Sequence, residues 1–125
     1  MKDFGTVLNC IDGRVQGDAA DYLAATFGVR HVDAITAPGM VQHLAAQTGR
    51  TGQILTDLQV SMENHDSHQV GIVAHSDCAG NPVPDKMQKS QVTEAMNRLG
   101  SHLPDIEIVG LWIDSRHIVE RLRPA

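Results

Sequence analysis

The feature that most constrains this 125-residue chain is Val70-Gly71-Ile72-Val73-Ala74, a short β-branched run with no polar position. A strand without a polar face has to be covered on both sides, as in a parallel sheet between layers of helices. The flanking sequence supplies the other pieces. Residues 6–10, 31–36 and 106–113 read as further strands. Helices are expected over about 17–27, 51–65 and 90–102, from the spacing of Ala20, Leu23, Ala24 and Phe27, of Ile54, Leu55, Leu58 and Met62, and of Val92, Ala95, Met96 and Leu99. Residues 37–40 and 81–84 carry the prolines and glycine of turns, and residues 116–122 read as a short closing helix. The β-α-β-α-β-α-β-α order predicts an α/β fold: one domain over 1–125, with a mostly parallel central sheet of about four strands and helices on both faces.

Composition removes several classes of function. The net charge of -5 argues against a nucleic-acid partner, and 3% aromatic residues leave no stacking platform for single strands. No apolar stretch is long enough to span a membrane, and Met1 to Gly5 lack a signal-peptide pattern, so a cytoplasmic location is expected. In a reducing compartment the two cysteines are not expected to form a structural disulfide. Metal binding, redox chemistry or plain burial remain.

Sites in open parallel sheets lie beyond the carboxyl ends of the strands. Both cysteines fall there. Cys10-Ile11-Asp12-Gly13-Arg14 follows the first strand, and His75-Ser76-Asp77-Cys78 follows the third. Zinc favours thiolate and imidazole ligands, and one turn can present His75 and Cys78 to a single ion. Cys10 could join them, because neighbouring strands are only about 4.8 Å apart. Two other readings stand beside this one: cysteines buried as small hydrophobes, and a closed structural zinc site. Asp12 could complete the zinc tetrahedron, or be held by Arg14 and accept a hydrogen bond from zinc-bound hydroxide, or form a plain surface ion pair. Two thiolates neutralise the zinc charge, so a neighbouring group has to handle the proton; His31, His43, His65, His68, His102 and His117 are available. Cys10 and Arg14 are too close for a phosphatase loop, and no Gly-x-Gly-x-x-Gly follows the first strand.

Cys10-x-Asp12-x-Arg14 followed by His75-x-x-Cys78 resembles the β-class carbonic anhydrases. The segment 70–80 is similar to that family's strand and His-x-x-Cys turn, and 110–114 to its following strand. The resemblance implies that Cys10, His75 and Cys78 bind Zn²⁺, with Asp12 either as fourth ligand or paired with Arg14 as a gating and orienting dyad. It also implies a zinc lyase in which hydroxide on the metal attacks CO₂ to give bicarbonate, working as a homodimer or higher homo-oligomer. The surroundings depart from the pattern. The family's glutamine before the cysteine and its N-terminal helices have no counterpart, Thr36 to Met40 replace an Arg- and Asn-bearing segment, and Val60 stands where a cleft tyrosine is expected. The alternatives are therefore a hydrolase of a CO₂-like molecule, carbonyl sulfide or carbon disulfide, and a zinc-binding homologue without turnover.

Overall fold

The computed structural model describes residues 3–124. Its strands are β1 (Phe4–Asn9), β2 (His31–Thr36), β3 (Gln69–His75), β4 (Glu107–Ile113) and β5 (Val119–Leu122). Its helices are α1 (Gln16–Phe27), α2 (Met40–Ala45), α3 (Thr51–Asn64) and α4 (Asp85–His102), with a 3-10 turn at Gly13–Val15 before α1. The sheet order is β2-β1-β3-β4-β5. All neighbours are parallel except β4 and β5. The expected α/β architecture is present, with a fifth strand added at one edge.

The apolar run is central, as its composition requires. Every residue of β3 is buried, between β1 and β4. Alternation then sends its side chains to two cores. Val70, Ile72 and Ala74 join Leu8 and Trp112 under α2, α3 and α4, with Val41, Leu58 and Val92 among the helix contributions. Val73 joins Val7, Val109, Leu111 and Ile113 under α1, which supplies Ala19, Leu23 and Phe27. Three helices thus cover one face and a single helix the other. A hydroxyl chain crosses the first core: Thr6 Oγ1 lies 2.7 Å from both Ser61 Oγ and Ser67 Oγ, and Ser61 donates to Asp33 at 2.7 Å. It ties α3 to β1 and β2 through groups that would otherwise be buried without partners.

Three local expectations are corrected. Residues 116–122 do not close the chain as a helix. Asp114 Oδ1 accepts the backbone N–H groups of Arg116 and Ile118, and the chain reverses so that 119–122 pair antiparallel with β4. The pattern Val119-Glu120-Arg121-Leu122 fits one helical turn as well as a strand, and the turn chemistry decides. Residues 40–45, given no element from sequence, form α2, in which Met40, Val41 and Leu44 are buried. Six residues are too few to show a period. Finally, α4 begins at Asp85 rather than at 90: Pro84 sits just before it and Asp85 supplies an acidic first turn.

Glycine at position 71 is a packing requirement. A Cβ there would stand 2.7 Å from Leu23 Cδ2, in a core where Leu23 is fully buried. We expect Gly71→Ala to destabilise the fold by about 1–3 kcal/mol. The measurement is the denaturant midpoint, which should fall with little change in slope.

Candidate metal centre

The parallel pairing of β1 with β3 brings the two motifs together. Thr6, Val7 and Leu8 pair with Val70, Gly71 and Ile72, so the two strands end at the same edge of the sheet. Cys10 is the first residue beyond β1, His75 is the last of β3, and Cys78 follows after a turn in which Asp77 takes a left-handed conformation, φ 56°. Cys10, His75 and Cys78 are 5%, 2% and 4% exposed, and one ligand atom from each lies within 4.8 Å of the others. Both thiols are free.

The donor set fits a metal ion on two counts. The sulfurs are 3.8 Å apart. Two thiolates held tetrahedrally at about 2.3 Å from zinc would be separated by about 3.8 Å. His75 supplies the second count. Its Nδ1 lies 2.7 Å from the carbonyl oxygen of Ser76 and can only donate there, so Nε2 carries the lone pair. That Nε2 is buried without a hydrogen-bond partner among the described residues. A buried, unpaired polar atom is costly, and a cation against the lone pair would satisfy it. Burial, then the neighbouring Cys10 sulfur, pushes the Cys78 thiol above its usual range, so a metal entering here displaces thiol protons.

Asp12 lies at the rim of this cluster, paired with Arg14. Arg14 donates from Nη2 to Oδ2 at 2.7 Å and from Nε to Oδ1 at 3.0 Å, and its backbone N–H donates to Oδ1 at 2.8 Å. These bonds hold the Asp12 carboxyl well below the usual carboxylate range, and they raise the Arg14 guanidinium further. Oδ2 is also 4.0 Å from His75 Nε2. The five sequence-predicted residues therefore share one corner of the sheet: three as a buried cluster that could hold a metal ion, two as a partly exposed ion pair beside it.

Several supporting residues escaped sequence reading. Gln16 spends both hydrogens of its amide on the loop between the motif residues, donating to the carbonyls of Cys10 at 2.7 Å and Asp12 at 2.8 Å. Gln88, 1% exposed, donates to the His75 carbonyl at 2.9 Å. A signal for Gln88 existed, since it stands one turn before Val92 on the apolar stripe of α4. Asp77 reaches Arg14 Nη1 at 3.3 Å, so Arg14 bridges both motifs. Gly39, left-handed at φ 59°, donates its N–H to Cys10 Sγ at 3.4 Å. Its backbone packs directly on that of Gly80: a Cβ on Gly80 would lie 2.7 Å from Gly39 N.

The proposed proton carriers disperse. His31 and His65 pack around Phe4, at the opposite end of β1. His68 pairs with Asp66 ahead of β3, and His102 bonds the Arg98 carbonyl at the far end of α4. His43 uses both ring nitrogens, on Thr48 and the Pro38 carbonyl. His117 lies in the turn after β4 and lines a cleft together with His75 and Arg14.

Comparison with solved structures finds this fold in proteins of low sequence identity. A carbonic anhydrase from Glaciozyma antarctica matches with a TM-score of 0.68 at 15% identity, covering 98% of this chain and 82% of that one. One from Streptococcus mutans gives 0.66 at 14% identity over 94% and 81%. The β-carbonic anhydrase isoform I of Trichomonas vaginalis gives 0.65 at 14% over 98% and 83%. A carbon disulfide hydrolase matches at 0.55 and 11% identity, over 96% and 78%. Comparison with curated proteins finds no match. A family model described as "Putative carbonic anhydrase" matches residues 1–123, and so nearly the whole chain carries the family's pattern. The chain belongs to that carbonic anhydrase family and has the β-carbonic anhydrase fold.

Proposed function

We propose that this chain is a zinc lyase that interconverts CO₂ and bicarbonate, with Cys10, His75 and Cys78 as metal ligands and Asp12 and Arg14 as the dyad that orients the reacting groups. The observation that carries the reading is the buried Nε2 of His75, without a hydrogen-bond partner among the described residues, in a Cys10-His75-Cys78 cluster whose two sulfurs stand at a tetrahedral ligand separation. Membership of the family described as "Putative carbonic anhydrase" supports that reaction class. Zinc held there would act as a Lewis acid that makes water nucleophilic at neutral pH.

The chain's own residues then have defined tasks. Arg14 occupies Asp12 from three donors, which keeps the carboxylate ionised and turned toward Nε2 of His75. An ionised carboxylate only accepts hydrogen bonds, so a protonated group seated between them must donate to Asp12 and turn a lone pair outward. The same carboxylate could instead ligate the metal directly, which would close the site. Gln16 and Gln88 hold the backbones that carry these groups. The chain is proposed to act in the cytoplasm as a single domain and as a homo-oligomer; one matched structure is of a tetrameric β-carbonic anhydrase from Sordaria macrospora. Among the described residues, no helix is long and apolar enough to cross a membrane.

Segment 36–40, which departs from the family pattern, reaches the site through the Gly39 N–H on Cys10 Sγ, and a hydrolase of carbonyl sulfide or carbon disulfide is the second reading. A fold match to a carbon disulfide hydrolase accompanies it.

Elemental analysis should find about one zinc per chain, lost in Cys10→Ser and Cys78→Ser. Retention of full zinc by both variants would remove the proposed site. Stopped-flow hydration of CO₂ by zinc-loaded protein should exceed the metal-free rate. Activity on carbon disulfide but not CO₂ would select the second reading, and zinc without turnover on either would leave a binding protein. Arg14→Leu should keep its zinc and lose about 10–100-fold in activity, because it frees the carboxylate rather than a ligand.

A further inference from the structure

Hydration of CO₂ by water yields bicarbonate and one proton, which has to leave before the next turnover. We propose, resting on the hydration reading, that His117 receives this proton and passes it to solvent, with Asp18 as the residue that positions its ring.

Three observations converge on His117. It lines a cavity of about 50 Å³ together with His75, Ser76 and Arg14. A water occupies about 30 Å³ in the liquid, so this space has room for one or two, and its walls offer polar partners. The ring is oriented: Nδ1 lies 2.6 Å from Asp18 Oδ2, at the first turn of α1. The carboxylate accepts, so Nδ1 carries the hydrogen and Nε2 is the free base. The backbone is built to hold it there. His117 is left-handed at φ 64°, locked by its N–H on the Asp114 carbonyl at 3.1 Å and by the Asp114 turn. Histidine is among the side chains that tolerate this conformation, and a constrained φ beside a site is a pointer to use.

The step balances without a co-reactant. The lone pair on Nε2 takes the proton and forms the imidazolium. A buffer base then removes it, because the side chain is 56% exposed. The Asp18 carboxylate, 2.6 Å from Nδ1, stabilises the cation, as carboxylate partners of imidazoles do. The other charged groups around the ring are Asp114 and Arg14, on the cavity wall, and Arg116, which pairs with Asp114 at 3.7 Å. The remaining histidines lie at the far end of the strands or have both ring nitrogens engaged, as described above.

The test is oxygen-18 exchange between CO₂ and water, followed by mass spectrometry on zinc-loaded protein in weak buffer. It separates interconversion of CO₂ and bicarbonate from release of labelled water, and only the second needs a proton delivered to the site. His117→Asn keeps a left-handed residue at the turn. We expect it to slow water release by at least about tenfold, to leave interconversion within about twofold, and to be restored by added imidazole. In zinc-free protein, nitrogen-15 spectra should show His117 protonated at Nδ1, and Asp18→Asn should abolish that preference. Unchanged water release, an equal fall in both rates, or protonation at Nε2 would overturn the assignment. Absence of interconversion in the unsubstituted protein would reject the hydration reading and His117 with it.

Discussion

The whole arrangement depends on one pairing, β1 beside β3 in parallel. Parallel neighbours expose the same ends at the same edge, so residues 68 positions apart in sequence meet without any long-range device. The pairing in turn requires β3 to have no polar face, since helices lie on both sides of it. The apolar composition of residues 70–74 therefore does two things. It makes the strand central, and it delivers His75, the first polar side chain beyond that run, to a buried edge. A strand with one wet face could not have placed an imidazole at 2% exposure.

The site is also held together by contacts that need no metal. Arg14 links the two motifs through Asp12 and Asp77. Two glutamine amides clamp the carbonyls of Cys10, Asp12 and His75. Such outer contacts fix the rotamers and backbone of the inner groups, which is what a binding site needs if an ion is not to order the chain at its own expense. The ion pairs here are partly exposed, with Arg14 at 57%, so their value is in geometry rather than in stability.

What could be read from the sequence followed the range of the forces involved. Strong one-dimensional patterns, the apolar run at 70–74 and the stripes of α1 and α3, translated into elements because burial acts on every residue of them. The meeting of Cys10, His75 and Cys78 was legible because side-chain chemistry and strand ends are local properties, and topology did the rest. Failures came where short segments had two equal local solutions. Residues 119–122 suit a helical turn or a strand, and Asp114 settles the matter by capping the preceding turn. Residues 40–45 form a helix only because Met40, Val41 and Leu44 find a core to enter. Gln16 and Gln88 were invisible as functional candidates because each acts through a backbone carbonyl, which leaves no motif, and His117 could not be told from the other histidines because its partner Asp18 lies far along the chain.

The contact between Gly39 and Gly80 has a mechanical meaning. With only hydrogens between them, the two backbones cannot slide or tilt independently, and Gln42 adds a bond to the Gly80 carbonyl at 2.6 Å. One of these loops touches the Cys10 sulfur and the other follows directly from Cys78. The pair works as a rigid coupling between the two sulfurs and the start of α2. A change in how α2 seats on the sheet would therefore reach both thiols together, although none of its residues belongs to the Cys10, His75 and Cys78 cluster.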